Sequence, residues 1–203
     1  MHTLFYFHDP MCSWCWGFRP TWLKLIELIP DSIEVKYILG GLAPDSIETM
    51  PEATVTAIQS HWRHITLELG TEFNFDFWSE CKPRRSTYPA CRAVIAAKKQ
   101  NKEKAMVLGI QEAYYLQAKN PSNVDTLVAI ANELKLDINL FKKDIEASAT
   151  QKALIAQVKL AREWNVPGFP SLVLKTNKAI YPINVDYKDA TITYRQIMNY
   201  LVL

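Results

Sequence analysis

The residues with the plainest chemistry lie near the start of the chain, in Asp9-Pro10-Met11-Cys12-Ser13-Trp14-Cys15-Trp16-Gly17-Phe18. Cys12 and Cys15 are separated by two residues, about one turn if the segment is helical. The run Thr3-Leu4-Phe5-Tyr6-Phe7-His8 before them reads as a buried strand. After them Phe18, Trp22, Leu25, Ile26 and Ile29 recur at helical spacing until Pro30-Asp31. The pair therefore stands where a strand turns into a helix, with Cys12 at or just before the first turn. Unpaired N–H groups at a helix start favour an anion, and a Cys-X-X-Cys pair placed there generally gives its first member a thiolate well below the free value of about 8.5. Such a pair can attack a disulfide, hold the mixed disulfide and resolve it.

The same spacing serves as a zinc knuckle. Cys81 and Cys91 supply no second knuckle, however, and none of the four histidines completes a finger pattern. Redox chemistry without a metal is the expectation. Asp9, three residues before Cys12, is either a carboxylate that modulates the dithiol or a turn residue that shapes the loop before Pro10. Trp14, between the cysteines, is expected to be exposed as an apolar contact for substrate, whereas Trp22 belongs to the core. Cys81 and Cys91 flank a basic segment, Lys82-Pro83-Arg84-Arg85, which would favour thiolates and an anion such as glutathione. They either close a second disulfide or are unrelated thiols, with Cys91 buried in its helix. His61 and His64 share a helix face but lack an acidic third ligand, which reads as surface decoration.

Positioning these residues requires a particular order of elements. Ser32–Leu39 reads as a second strand, ended by Gly40-Gly41, so the opening unit is strand, helix, parallel strand. From about Pro44 to Ala149 the pattern is helical. Helices are expected over 52–69, from Pro89 through Ile95, over 104–119 with Gly109 weakening it, from a Ser122 or Asn123 cap through Leu134, and from Asp137. The aromatic run 73–78 reads as an extended connector. A helix over 150–164 then meets Asn165-Val166-Pro167-Gly168-Phe169-Pro170, followed by a strand at 171–175, a hairpin at 176–178, a partner strand at 179–183 with Pro182 marking an edge, and a terminal helix. The division follows: residues 1–43 and 150–203 form one layered α/β domain, and 44–149 is a helical insertion, since its ends must return to one sheet.

The 203 residues, 49% hydrophobic and 22% charged with a net charge of +2, describe a globular chain without a broad basic field, which argues against nucleic acid as a partner. No run approaches the roughly 18 apolar residues of a membrane span. The first strand begins almost at Met1 with no signal core ahead of it, so a cytoplasmic location is expected if Met1 is the natural start.

The strand–Cys-X-X-Cys–helix start together with Gly168-Phe169-Pro170-Ser171-Leu172-Val173-Leu174 near the end resembles a thioredoxin fold. With its helical insertion the chain resembles the DsbA-like thiol–disulfide oxidoreductases. The stretches Asp9–Gly17 and Pro89-Ala90-Cys91-Arg92-Ala93 are similar to the FrnE-like branch. The resemblance implies that Cys12 is the nucleophile, Cys15 the resolving cysteine and Pro170 a cis-proline, with Phe169 and Gly168 beside the substrate strand. It also implies protein substrates carrying disulfides or thiols, a small-thiol or thioredoxin-type recycling partner, and no cofactor, with glutathione as a candidate co-substrate. Ser13 and Trp14 replace the Pro-His of the strongly oxidising bacterial enzyme, so a potential between about −270 and about −120 mV is expected. Phe169 is bulkier than the Val or Thr common at its position. The rival classes are glutathione-dependent transferases or isomerases of the kappa and hydroxychromene-carboxylate type, which usually carry serine in place of Cys12, and a non-catalytic redox-sensing module that binds polypeptides.

Overall fold

The structure is a computed structural model that describes residues 2–202. Strand β1 (His2–His8) leads into α1 (Ser13–Leu28) and back to β2 (Ile33–Leu39). Six helices follow: α2 (Glu52–Leu69), α3 (Phe77–Glu80), α4 (Tyr88–Lys98), α5 (Glu103–Tyr115), α6 (Val124–Glu133) and α7 (Ile138–Glu146). The chain then re-enters the sheet through α8 (Ser148–Glu163), β3 (Ser171–Lys175) and β4 (Ile180–Ile183), and ends in α9 (Ala190–Val202).

The described strands form one sheet in the order β2-β1-β3-β4. β1 runs parallel to β2 and antiparallel to β3, with Tyr6 opposite both Tyr37 and Leu172. Side chains alternate across a strand, so β1, in the middle, serves two cores. Leu4 and Tyr6 pack with Phe18, Trp22 and Leu25 of α1 and Ile197 of α9. Phe5 and Phe7 pack on the other face with Ala161 of α8. This two-sided burial is why β1 reads as a continuous apolar run. Pro182 lies on β4, the edge strand, paired with Val173.

The helical segment has cores of its own. Cys91, Val94, Ile110, Leu127 and Phe141 belong to one that reaches Leu39 and α8. A second centres on Trp62 with Phe77, Tyr114 and Tyr115. Several boundaries differ from the sequence expectation. The run 73–78 is not an extended connector: Phe77 is fully buried against Trp62, and that burial draws the chain into the short helix α3. The helix expected over 104–119 stops at Tyr115, because Ala118 takes a left-handed backbone, φ 51°. The helix runs through Gly109, where Ile130 of α6 stands 2.6 Å from the place a Cβ would take, so the glycine permits the close packing of the two helices. The Ser122 hydroxyl bonds the carbonyl of Ser86 at 2.7 Å rather than capping α6.

Candidate dithiol site

Cys12 occupies the N-cap of α1 in extended backbone, φ −85° and ψ 117°. Its carbonyl accepts from the Trp16 N–H at 3.1 Å, which starts the helix, and its own N–H donates to the Asp9 carbonyl at 3.0 Å, which closes the turn after β1. Cys12 is thus held at the start of a sixteen-residue helix, although its side chain makes no cap hydrogen bond to the first N–H groups. Its thiol donates to the carbonyl of Phe169, 157 residues further on, at 3.2 Å. The Phe169–Pro170 bond is cis. Cys15, 1% exposed, lies close enough to Cys12, the backbone of Asp9 and Tyr6 to interact with each of them. Burial, with Cys12 beside it, pushes the Cys15 thiol well above its ordinary range.

Phe169 is placed by its socket. Its ring lies where a Cβ on Gly40 would stand, 1.9 Å away, so a glycine at the end of β2 is a condition of the arrangement. Phe169, like Leu160, Trp164 and Val166, packs against the core of Phe5, Phe7, Ile38, Ala161 and Val173. The carbonyl of Gly168 accepts from the Ser171 hydroxyl at 2.7 Å, and the space a Cβ would take there is open.

Asp9 does more than shape a loop. It is wholly buried, and its carboxylate accepts from Met11 N–H (2.8 Å), Leu42 N–H (2.8 Å), the Thr87 hydroxyl (2.7 Å) and the Cys91 thiol (3.5 Å). Burial raises its pKa, while these four donors pull it down. The carboxylate joins the turn before α1, the segment after β2 and the start of α4. Leu42 and Thr87 were not apparent as site residues. A threonine one residue before α4 signals a helix start, yet its hydroxyl is directed to Asp9.

Trp14 is half-buried, not exposed. His64 of α2 and Tyr187, in the segment before α9, stand edge-on to its ring at centroid distances of 5.6 and 5.1 Å. Cys81 and Cys91 are separate free thiols: Cys81 donates to the Ala118 carbonyl at 3.0 Å, and Cys91 turns inward to Asp9. His61 and His64 are both exposed, and His64 pairs with Glu68 at 3.1 Å. Among the described residues no group of His, Cys, Asp or Glu could hold a metal ion, and no helix is long and apolar enough to cross a membrane.

A cleft of about 260 Å³ opens over Cys12, lined also by Met11, Trp14, Arg84, Arg85 and Phe169. Arg84 is anchored through the Ser122 carbonyl and the Asn123 side chain, both at 2.7 Å, and Arg85 is exposed.

With two touching thiols at a helix start, and a distant loop carbonyl facing the first of them, the molecule falls in the class of thioredoxin-fold dithiol proteins. Residues 5–195 match the family model described as Thioredoxin, and the chain belongs to that family. Its fold is the DsbA-like form of it. A Nitrosomonas europaea protein, provisionally assigned as a protein disulfide isomerase, superposes with TM-score 0.84 at 25% identity, covering 99% of this chain and 98% of that one. The cytosolic disulfide reductase DsbM from Pseudomonas aeruginosa gives 0.79 at 20% identity, covering 99% of this chain and 100% of that one. In sequence, the chain is 28% identical over 172 residues to the ClpXP adapter protein SpxH of Bacillus subtilis, covering 83% of this chain. It spans 56% of that relative's length and 57% of the corresponding protein from Halalkalibacterium halodurans.

Proposed function

We propose that the protein is a thiol–disulfide oxidoreductase acting on protein disulfides through Cys12 and Cys15. The observation that carries this reading is the Cys12 sulfur at the helix start, in contact with Cys15 and 3.2 Å from the Phe169 carbonyl. Cys12 attacks a substrate disulfide, one substrate sulfur leaves as thiolate, and a mixed disulfide forms. Cys15 then displaces the second substrate sulfur and closes the Cys12–Cys15 bond. The substrate gains two electrons and two protons, and the enzyme loses them. Phe169, Gly168 and Trp14 border the path of the substrate, and Pro170 sets the Phe169 carbonyl over Cys12. The reaction uses the two sulfurs and needs no metal or organic cofactor. A thiol donor or thioredoxin-type partner in the cytosol restores the dithiol, and glutathione fits that role because Arg84 and Arg85 line the cleft beside Cys12.

The test is trapping. Cys15→Ser, expressed in cells and quenched with acid, should retain client proteins as mixed disulfides on Cys12. Insulin reduction should disappear in Cys12→Ala, and the reduction potential should fall between about −270 and about −120 mV. Recovery of glutathione as the sole adduct would move the assignment to a glutathione transferase.

A second reading is favoured by the likeness to SpxH, a ClpXP adapter by name. In it the cleft binds a polypeptide without turnover. Retention of partner binding in a Cys12→Ser, Cys15→Ser double variant, with no insulin reduction in the parent, would select it.

A further inference from the structure

Apart from the cleft over Cys12, a separate cavity of about 80 Å³ opens between α1, β1, β2 and α5. Its walls are mostly apolar. Tyr6, Trp22 and Tyr37 contribute three mutually packed rings, with centroids 4.2 to 5.8 Å apart, and Leu23, Val107 and Leu108 join them. The polar groups stand at opposite ends. The inner ones, His8 and Gln111, are 2% and 3% exposed. Burial alone pushes His8 down to about 4, so its ring is neutral at ordinary pH. The Gln111 carboxamide oxygen has no hydrogen-bond partner among the described residues. At the mouth are half-buried Arg19 and exposed Lys104, whose ammonium lies over the Tyr37 ring, 5.1 Å from its centroid. Among the described residues neither cation has an ion-pair partner, whereas Glu103 beside them is held by Lys98 at 3.0 Å. The mouth is therefore positive and the interior aromatic.

We propose that this cavity is a binding site for a small phenolic acid, a single ring with a hydroxyl at one end and a carboxylate on a short chain at the other. The ring packs among Tyr6, Trp22 and Tyr37, in the way that aromatic-lined pockets hold flat apolar ligands. The carboxylate meets Arg19 and Lys104 at the mouth. The hydroxyl, which both donates and accepts, lies toward His8 and Gln111 and brings a donor to the end that lacks one. A basic ligand is opposed by the two cations, and an aliphatic acid leaves the inner polar groups without a partner. The binding is non-covalent and separate from the Cys12 cleft, so it does not depend on the dithiol chemistry.

Calorimetric titration of the reduced, full-length protein with para-hydroxyphenylpropionate tests the assignment. One molecule should bind per chain, and the amide of the same acid should bind roughly tenfold or more weakly, because a hydrogen-bonded charge is removed. Arg19→Gln combined with Lys104→Gln, both at the mouth, should give the same loss, and phenylpropionate, without the hydroxyl, a smaller one. In spectra of isotope-labelled protein the ligand should shift the Trp22 indole and Gln111 carboxamide signals. Cys12→Ala should bind as the parent does, which keeps failure of the insulin assay distinct from failure of this proposal. Absence of binding, equal affinity for acid and amide, or unchanged affinity in the Arg19 and Lys104 double variant overturns it. So does loss of binding in Arg84→Gln combined with Arg85→Gln, which places the ligand in the Cys12 cleft instead.

Discussion

Asp9 and His8 are neighbours in the chain, both sealed from water, and burial moves them in opposite directions. His8 is pushed down to about 4 from 6.5, so the folded protein resists its protonation. The stability that neutral His8 confers is complete above 6.5 and is lost as pH falls towards 4. The shift corresponds to about 3 kcal/mol, and His8→Phe should flatten the urea-unfolding profile across that window. Asp9 is raised above 3.8, so the folded state holds its proton longer than the unfolded chain does. That stability is complete below 3.8 and declines as pH rises through the folded value; Asp9→Asn should remove the decline in the same titration. Of these two, Asp9 was legible as a candidate because it precedes the cysteines. His8 was not, because a histidine closing an apolar strand has no local mark of full burial.

Elements were legible where their periodicity was strong. The expected and observed bounds of α2 coincide, since Trp62 and Ile65 face a core while His61, Arg63 and His64 face water. The short α3 was not legible, because four residues carry no period and Trp62 decides their conformation from a distance. The same holds for the pairing of Gly40 with Phe169. Two glycines after β2 read as a strand end, and nothing local says that an aromatic ring 129 positions later fills the space of the missing side chain. Gly40→Ala tests that close approach. The methyl cannot coexist with the ring, so the loop at 165–170 must shift, at a cost of about 1–3 kcal/mol as in other overpacked sites. Both the melting temperature and the rate of disulfide exchange should fall, whereas Gly70→Ala, with open space at its Cβ, should leave exchange unchanged despite its left-handed backbone.

At the scale of the molecule, the strand–helix–strand start, the helical middle and the closing hairpin and helix followed from the sequence, because strand, turn and helix signals sit together at both ends of the chain; the short α3 and the antiparallel pairing of β1 with β3 did not. How the helical segment grips the dithiol did not follow, since that depends on Asp9 meeting Thr87 and Cys91, 78 and 82 residues away. The contact between Cys12 and Phe169 is longer still, spanning 157 residues. During synthesis at roughly 5–20 residues per second, the reactive sulfur emerges from the ribosome about ten to thirty seconds before the loop that shelters it. Through that interval Cys12 and Cys15 are open to oxidants and to stray pairing with Cys81 or Cys91. Nascent chains stalled before residue 165 should therefore react with maleimide at Cys12 faster than released protein, where that residue is 7% exposed. A cell making this protein must keep its thiols reduced at the tunnel mouth, long before the protein can exchange electrons with anything.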